Sequence, residues 1–486
     1  MSLEDRLHPL LSSYVASPQW VKSTVGRAYA ALPDRIKYGR RFPHFQREVR
    51  RCYQSAELEQ AVDEKLLKAL RVALLHVPAY SAYRGLLQQG LTPRELLSRL
   101  PLTSKLDIKA DPQRYVSTHS NSRDMLEMFT GGSTAHPMRF FAQKHVTRPK
   151  EAAYFEDLDK RAGLQEGDVI LNLRGRTVPG AGEPGRRLWM YEPIKRHLIL
   201  SSDHMEARFM PEYVNALKEW KPTFIHAFPS ALYPLAKWLN AHPEPEITSR
   251  IHGVELTSEN TYDHQLVMFR RVFHCPVTRG YGHTERALLA ATMPDDDRYF
   301  FWPLYGYPEL IDARGNTIVD PGVLGEIVGT TFDNAVMPFV RYRTGDMGAW
   351  GSTQHPSLPG FPVFERIEGR MQDFVVCQDR RVVSVTTLGA AHFSDLAEVE
   401  TIQYEQSVPG RLTLRVVSKH EIQEGRRTAI ADAVKAKSQG GLVVEVVRVP
   451  QIERTSRGKA RMLIQHLDLG EYFGGTGTDA LHAQRY

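Results

Sequence analysis

A lysine stands on a short polar segment close to the end of this 486-residue chain. Residues 451–462 read QIERTSRGKARM, and Lys459 follows the apolar run GLVVEVVRVP of residues 441–450. Such a lysine is either a solvated surface charge or a cation with a function. The segment alone leaves both interpretations open.

Glycine and hydroxyl residues are concentrated in residues 129–141, FTGGSTAHPMRFF. Glycine beside serine and threonine lets a backbone approach an oxyanion and bind it with amide and hydroxyl donors. The segment is not a Walker A loop, because no Gly-Lys-Ser/Thr follows. It predicts either a phosphate-binding loop or a plain turn before MRFFA.

Residues 279–291, RGYGHTERALLAA, place an aromatic ring, a hydroxyl and a carboxylate on one turn that we expect to lead into an apolar helix. Tyr281 can lie on a purine face, Thr284 can donate to a phosphate, and Glu285 can bind Mg²⁺, which prefers oxygen ligands. The alternative is a helix start at which Thr284 and Glu285 are capping residues.

Another carboxylate lies in VRYRTGDMG, residues 340–348. Gly345 favours a tight turn that exposes Asp346, and a carboxylate accepts hydrogen bonds from a pair of ribose hydroxyls. The alternative is an aspartate that satisfies the amides of its own turn.

Taken in order along the chain, these segments resemble the adenylate-forming (acyl-CoA synthetase) superfamily. Within it, the chain is most similar to the branch of phenylacetate-CoA ligase, coenzyme F390 synthetase-like and capsular polysaccharide CapK-like proteins. The resemblance covers the chain from about residue 101 to residue 465. It is carried by LPLTSKLDIKADPQRYVS, FTGGSTAHP, WKPTFIHAFPSALYPLA, GYGHTE, VRYRTGD, RIEGRMQDF and RTSRGKARMLIQ.

The resemblance implies that ATP and a carboxylic acid form an acyl-adenylate and pyrophosphate, after which an acceptor displaces AMP. The implied cofactors are ATP and Mg²⁺, with coenzyme A as co-substrate. The implied contacts to the β- and γ-phosphates are Thr130, Gly131, Gly132, Ser133 and Thr134. The implied adenosine-binding residues are Ser258, Glu259, Tyr281, Gly282, Asp346 and Arg370. Thr284 is implied at the α-phosphate and Glu285 at Mg²⁺, and the implied substrate pocket contains His226, Phe228 and Pro229.

The resemblance also gives Lys459 a catalytic role beside the substrate carboxylate and the α-phosphate. Attack of one anion on another builds negative charge around phosphorus, and a fixed ammonium stabilises that transition state more than the separated reactants. The small domain that carries Lys459 is then expected to rotate about a hinge near Gln372 and to open a path for the acceptor.

The sequence departs from the usual family pattern at four positions. Gly131 occupies a position often held by serine, Ala135 replaces a usual glycine, and Met138 stands where many members have lysine. Gln372 stands where the hinge aspartate or lysine is usual. Arg139 can supply part of the phosphate binding that is lost with the usual lysine.

Two acceptors are compatible with the same first half-reaction. The leading prediction is an acid-CoA ligase. The alternative is an amide ligase that transfers the acyl group to an amine, in polysaccharide or secondary-metabolite biosynthesis; the CapK-like resemblance points to capsule polysaccharide.

Two alternatives belong to other functional classes. The altered phosphate segment favours a non-catalytic nucleotide-binding protein. A nucleic-acid-binding protein is not favoured, because no basic run interleaved with aromatics is present. A zinc site is not predicted, because the spacing of the histidines, Glu259 and Cys275 between residues 252 and 283 matches no zinc template.

The pattern of helical and strand-like segments along the sequence predicts an α/β fold. Residues 55–100 have helical periodicity, and strand-like runs alternate with helical ones between residues 130 and 367. With the resemblance, this predicts a large N-terminal adenylate-forming domain, residues 1–371, whose first 100 residues are mainly helical. Residues 372–486 are predicted to form a small mobile α/β domain, in which RLTLRVV is a strand, TAIADAVKAKS a helix and LVVEVVRV a buried strand.

Composition is that of an ordinary soluble protein, with 42% hydrophobic and 24% charged residues. The net charge of +6, from 62 basic and 56 acidic residues, is weak evidence for a nucleic-acid partner. No apolar run of about 18 residues is present, so we expect a cytoplasmic protein without a membrane span. Cys52, Cys275 and Cys377 are far apart and are expected to be buried thiols.

Overall fold

The computed structural model describes residue 14, residue 17 and residues 19–130, 138–176, 178, 187–202, 204–370, 373–388, 399–418, 420–452, 462–467, 469 and 472. Outside these residues lie several positions with predicted roles: Gly131, Gly132, Ser133, Thr134, Gln372 and Lys459.

Helices dominate the chain before residue 111, and those predicted for residues 55–100 are present. The α-helices α1–α6 are Gln19–Ala30, Asp34–Lys37, Phe42–Cys52, Leu58–His76, Pro93–Ser98 and Lys105–Ala110. Among the described residues, the 3-10 helices are Ser55–Glu57, Pro78–Gln88, Pro112–Tyr115, Ser122–Asp124 and Ala207–Phe209. Helix α4 buries apolar side chains every three or four residues, and Leu66 and Leu70 share a cluster with Phe332 and Val340. These helices therefore pack against the part of the chain that forms the main sheet.

A 12-stranded sheet forms the centre of the molecule. Its strands β3–β14 are Ile170–Leu173, Trp189–Glu192, His197–Leu200, Phe224–Ala227, Gly253–Thr257, Val277–Gly282, Leu289–Met293, Asp296–Phe301, Gly306–Ile311, Leu324–Thr331, Tyr342–Trp350 and Val363–Arg370. Their order is β11-β12-β13-β14-β10-β9-β8-β7-β6-β3-β5-β4. Strands β5, β3, β6, β7 and β8 are parallel neighbours, and the other pairs are antiparallel. A separate antiparallel pair consists of β1, Met125–Phe129, and β2, Arg139–Gln143.

Helices accompany the parallel half of the sheet. Helices α7–α11 are Thr147–Arg161, Met210–Trp220, Pro229–Ala241, Pro245–Thr248 and Asp263–Phe273. Strands β3 and β6 are buried at every position, as expected for parallel strands covered on both faces. The largest apolar cluster joins β3, β6 and β7 to α8, α9 and α11. This packing fixes the strand ends at which functional side chains lie.

The predicted apolar helix after residue 285 is wrong, because residues 289–293 form strand β9. This run pairs with β8 and β10 and is almost wholly buried. A short apolar run bounded by turns is compatible with either state, and sheet pairing decides here.

A four-stranded sheet of order β19-β18-β17-β20 lies near the C-terminus. The elements after residue 373 are β15, Phe374–Val376; β16, Val382–Ser384; α12, Val385–Leu388; β17, Val399–Val408; β18, Arg411–Ser418; α13, Glu424–Lys437; β19, Val443–Arg448; and β20, Leu463–Gln465. The strand predicted from RLTLRVV and the following helix are confirmed. The buried strand predicted from LVVEVVRV is wrong in its burial, because β19 is an edge strand in which Val446 alone is buried. Its apolar residues reflect β propensity rather than a covered position.

Two of the three thiols are buried, Cys52 and Cys377, and Cys275 is partly buried. Burial raises the pKa of Cys52 to about 12, so this thiol stays protonated and unreactive. Within the described part of the chain, no helix combines the length and the apolar character that crossing a membrane requires.

Candidate functional site

Tyr281 and Asp346 meet although they are 65 residues apart in sequence. Tyr281 is near the end of β8, and its hydroxyl donates a 2.9 Å hydrogen bond to Asp346 Oδ2. Gly345 has a φ of 75°, which places Asp346 after a tight backbone turn within β13. The Thr344 hydroxyl accepts the Asp346 amide at 3.1 Å. The predicted aromatic and carboxylate groups thus form one unit.

Glu326 supports this unit from the neighbouring strand β12. Its carboxylate accepts hydrogen bonds from the Gly345 amide at 3.2 Å and from Arg343 Nε at 2.8 Å. Glu326 is buried, so these contacts offset the cost of removing its charge from water. Sequence reasoning missed Glu326, whose only signal is a charged residue within the apolar strand LGEIVGTT.

Glu285 lies in the turn after β8 and accepts a 2.8 Å hydrogen bond from the Tyr342 hydroxyl through Oε1. The Arg286 amide closes the turn by donating to the His283 carbonyl oxygen at 3.0 Å. Thr284 is exposed in this turn. Tyr342 stands in the predicted VRYRTGD motif, but its contact with Glu285 was not foreseen. The two motifs therefore contact each other twice, through Tyr281–Asp346 and Tyr342–Glu285.

Thr130 closes the base of the predicted phosphate segment. Its hydroxyl accepts a hydrogen bond from the Met138 amide at 2.9 Å, and its own amide donates to the Met138 carbonyl oxygen at 2.9 Å. Thr130 is buried and lies at the end of the β1–β2 pair. These two hydrogen bonds join Thr130 to Met138, and residues 131–137 lie outside the described residues.

The other predicted adenosine residues border β7, β8 and β14. Ser258 follows β7 in a left-handed conformation, φ 66°, and Glu259 Oε2 accepts the Ser230 amide at 3.1 Å. Gly282 is the exposed last residue of β8. Arg370 pairs with Asp346 in the register of β13 and β14. The structure therefore places the ends of β7 and β8 close to the start of α9, where the substrate pocket is predicted.

His226, Phe228 and Pro229 lie where β6 passes into α9. Phe228 donates its amide to the Leu173 carbonyl oxygen at 2.9 Å, which ties the turn to β3. Pro229 is the buried first residue of α9, and His226 is buried within β6. Sequence analysis did not foresee that His226 belongs to a buried polar cluster.

We define the polar cluster as Asp159, Arg174, His226 and Glu255. Glu255 on β7 is the register partner of His226 on β6, and His226 Nε2 lies 3.3 Å from Glu255 Oε1. One ligand atom each of Asp159, His226 and Glu255 lies within 4.8 Å of the others. Arg174, just after β3, donates from Nη1 to His226 Nδ1 at 3.4 Å. Carboxyl edges of parallel strands are where α/β sheets bind ligands.

Burial dominates the protonation of the polar cluster. It raises the pKa of Asp159 to about 8, helped by the charge of Glu255, and raises the pKa of Glu255 to about 7 despite the opposing charge of Arg174. Burial, with the Arg174 charge, lowers the pKa of His226 to about 3. At neutral pH, His226 is therefore neutral and Asp159 mainly protonated.

The polar cluster adjoins the Tyr281–Asp346 unit. A Cβ placed on Gly280, the residue before Tyr281, would lie 3.5 Å from Glu255 Oε1. Glu255 itself was a detectable signal, because it is a charge inside the buried strand GVELT. Asp159 gave no such signal, because an acidic residue in the polar sequence FEDLDKR is ordinary on a helix surface.

No protein-family model matches the chain. Among curated proteins, phenylacetate-coenzyme A ligase of Pseudomonas putida is 28% identical over 139 residues, which are 26% of this chain and 30% of that protein. Phenylacetate-coenzyme A ligase of Aromatoleum evansii is 24% identical over 181 residues, 34% of this chain and 39% of that protein. The matches thus span between 30% and 39% of these relatives.

Solved structures match over most of the chain. A 2-hydroxyisobutyryl-CoA ligase in the postadenylation state has a TM-score of 0.62 at 18% identity, covering 88% of this chain and 93% of that one. An acyl acid amido synthetase, AtGH3.15, has a TM-score of 0.54 at 15% identity, covering 88% and 94%. The anthranilate CoA ligase AuaEII has a TM-score of 0.51 at 14% identity, covering 76% and 69%.

These matches confirm the predicted α/β fold class: the chain has the fold of adenylate-forming ligases. The curated relatives confirm the resemblance to the phenylacetate-CoA ligase-like branch.

Proposed function

We propose that this protein activates a carboxylic acid with ATP as an acyl-adenylate, releases pyrophosphate, and transfers the acyl group to coenzyme A. The observation that supports this most is the joining of two separate motifs by the Tyr281–Asp346 and Tyr342–Glu285 hydrogen bonds. They bring together an aromatic ring near the end of β8, a carboxylate in the turn after it and a carboxylate within β13, in a fold shared with acid-CoA ligases. The names of the two curated relatives agree with this activity.

Asp346 is proposed to accept the ribose hydroxyls and Tyr281 to lie against adenine. The Tyr281 ring is partly buried, and the centroid of the Phe301 ring lies 5.8 Å from its own centroid, so the ring has a fixed orientation. The hydroxyl bond from Tyr281 orients the Asp346 carboxylate before ATP arrives. Such preorganisation reduces the entropy lost on binding. Ser258, Glu259, Gly282 and Arg370 complete the proposed adenosine contacts.

Glu285 is proposed to hold Mg²⁺, and its carboxylate fits a hard cation that prefers oxygen ligands. Tyr342 donates to one of its two oxygens and so fixes the orientation of the carboxylate. The ion would supply neutralisation of phosphate charge. Thr284, exposed in the same turn, is proposed to donate to the α-phosphate. Thr130 to Thr134 are proposed to surround the β- and γ-phosphates.

Lys459 is proposed to be the catalytic cation between the substrate carboxylate and the α-phosphate. In this proposal residues 372–486 form a small domain that brings Lys459 to the site for adenylation. The domain then rotates near Gln372 and withdraws the lysine before transfer. The same ammonium would obstruct the acceptor if it stayed.

An amine acceptor is the alternative to coenzyme A. Its support is the shared fold with an acyl acid amido synthetase, which covers 88% of this chain. Adenylation residues would be the same in both cases, so the acceptor must be determined by experiment. A role in capsule polysaccharide biosynthesis and a cytoplasmic location belong to this proposal and rest on the resemblance alone.

Pyrophosphate release tests the proposed activity. Purified protein is supplied with ATP, Mg²⁺ and a panel of carboxylic acids, with and without coenzyme A. Acid-dependent release that rises with coenzyme A supports the acid-CoA ligase. Release that rises with an amine and ignores coenzyme A supports the amide ligase, and ATP binding without release for any acid contradicts both.

A further inference from the structure

The polar cluster lies on the face of β6 and β7 opposite to the main apolar core. The neighbouring positions Leu173, Ile225 and Leu256 are buried in that core, and successive side chains of a strand point to opposite faces. Asp159 from α7 and Glu255 from β7 instead put two carboxyl groups beside His226. Burying such groups destabilises a fold unless they are hydrogen-bonded. A hydrogen bond between Asp159 and Glu255 offsets part of this cost. The remaining cost is a reason to look for a ligand.

Hydrogen-bonding atoms of this region remain unsatisfied. Three of the buried atoms that lack a hydrogen-bond partner among the described residues lie here: His226 Nε2, Glu255 Oε2 and Oδ1 of Asn172, which is the register partner of His226 on β3. Glu255 and Asn172 are almost wholly buried, and the His226 side chain is 11% exposed. Buried polar atoms are normally paired, and each lost pairing costs about 1–3 kcal/mol. A bound group that both donates and accepts would satisfy them.

The neighbours of His226 determine which of these atoms donate. Arg174 donates to Nδ1, so in the neutral ring the proton is on Nε2 and this atom is a donor. Glu255 Oε2 and Asn172 Oδ1 are acceptors. The region therefore offers one donor and two acceptors to a ligand.

A hydroxyl group fits this pattern best, because it accepts one hydrogen bond and donates another. An ammonium group only donates, and it would face both the Nε2–H group and the Arg174 guanidinium. A divalent metal ion fits less well, since Nε2 carries a proton and Arg174 places a positive charge beside the imidazole.

We propose that the acyl pocket selects a carboxylic acid with a hydroxyl group on its acyl part, held by His226 Nε2 and Glu255 Oε2. The proposal rests on the proposed function for the identity of the pocket. Its location follows from Gly280, the residue before Tyr281, because a Cβ placed on Gly280 would lie 3.5 Å from Glu255 Oε1. It assigns His226 and Glu255 to substrate specificity rather than to the chemical step.

The test uses matched acids that differ in one group, such as phenylacetate with its ring-hydroxyl, ring-amino and ring-methyl derivatives, and 2-hydroxyisobutyrate with pivalate. Calorimetry measures the binding of each acid without ATP, and pyrophosphate release measures kcat/KM. Wild-type protein should favour at least one hydroxy acid over its methyl counterpart by about tenfold or more, since a buried polar site rejects a ligand that lacks its hydrogen bond.

Two variants and one control separate specificity from stability. Glu255→Leu should reduce the hydroxyl-to-methyl ratio to near one, and Glu255→Gln, which keeps volume and polarity, should retain part of it. His252→Gln is the matched control, because His252 pairs with Asp168 at the other end of the same strands, with 3.0 Å between Nε2 and Oδ1. It should leave the ratio unchanged.

Each outcome has one meaning. Binding or turnover that favours methyl or amino derivatives, or a ratio that Glu255→Leu does not change, overturns the hydroxyl proposal. One equivalent of tightly held metal after dialysis also overturns it. Hydroxyl-selective binding without pyrophosphate release supports the specificity pocket and contradicts the proposed function instead.

Discussion

The two ends of the candidate site differ in how their polar groups are satisfied. At the adenosine end, Tyr281 pairs with Asp346 and the buried Tyr342 pairs with Glu285, and Tyr281, Asp346 and Glu285 are partly accessible. At the acyl end, His226 and Glu255 are buried and each has an atom without a hydrogen-bond partner among the described residues. The carboxylates of Asp346 and Glu285 are thus oriented by tyrosine hydroxyls, whereas Glu255 Oε2 has no such donor among the described residues.

This difference indicates a division of roles between the ends. Paired groups at the adenosine end are preorganised for a ligand that does not vary, which is ATP. Unsatisfied atoms at the acyl end discriminate, because a wrong acid leaves them unpaired. Mutations at the adenosine end should therefore change nucleotide affinity for all acids, and mutations at the acyl end should change the preference among acids.

The largest expected effect concerns Lys459, the proposed catalytic cation. Lys459→Ala should lower the rate of acyl-adenylate formation by about a hundredfold to a thousandfold, because it removes a cation from the developing charge at phosphorus. Single-turnover assays of each half-reaction measure this. Transfer from a supplied acyl-adenylate should be nearly unchanged.

The matched control for this variant is Lys437→Ala, an exposed lysine at the end of α13. It should leave both half-reactions intact. Equal losses in both half-reactions for Lys459→Ala would contradict its role as an adenylation catalyst.

Asp346→Ala should weaken ATP binding by about tenfold to a hundredfold, as expected when hydrogen bonds to a charged group are removed. The dissociation constant of ATP, measured by calorimetry, reports the effect, and selectivity among acids should not change. Asp320→Ala, at an exposed aspartate, is the control. An unchanged ATP affinity in Asp346→Ala would remove the ribose assignment.

Tyr281→Phe should have a smaller effect on the same measurement, about twofold to tenfold. The variant keeps the ring that is proposed to contact adenine and removes only the hydroxyl that orients Asp346. Tyr281→Ala removes both and should weaken ATP binding further. If the two variants weaken ATP binding equally, the ring makes no contribution and the stacking proposal fails.

The smallest expected effect concerns the pH dependence of stability at the acyl end. The pKa of Asp159, raised to about 8 by burial and by Glu255, is above its unfolded value near 4. Folding therefore favours the protonated form, and the contribution of Asp159 is lost as pH rises toward 8. Between pH 5.5 and pH 8.5, the melting temperature of both proteins is compared. The fall in the wild type should exceed the fall in Asp159→Asn by about 2 °C or more.

Asp168→Asn provides the opposite control. Although burial raises the pKa of Asp168, hydrogen bonds from Gln165, His252 and Thr223 make it lower than usual. The ionised Asp168 carboxylate stabilises the fold above about pH 4. Asp168→Asn should therefore have a lower melting temperature than the wild type at both pH 5.5 and pH 8.5. An identical pH dependence for Asp159→Asn and the wild type would contradict the raised pKa of Asp159.

Sequence reasoning identified Tyr281 and Asp346 from two local motifs, and their nucleotide-binding roles stay predictions. It did not foresee their contact, because β14, β10 and β9 lie between β13 and β8 in the sheet. It failed where pairing across the sheet decides, as for β9, predicted as a helix, and for β19, predicted as buried. Asp159 and Arg174 were missed, because no local sequence pattern shows that the end of α7 and the end of β3 place their charged side chains beside His226.

Exchange of labelled pyrophosphate into ATP tests the central claim most directly, because it requires reversible formation of an acyl-adenylate and no acceptor. The account predicts exchange that depends on both Mg²⁺ and a carboxylic acid and that Asp346→Ala and Lys459→Ala strongly reduce. Exchange independent of any acid, or ATP binding without exchange across hydroxylated and apolar acids, would contradict it.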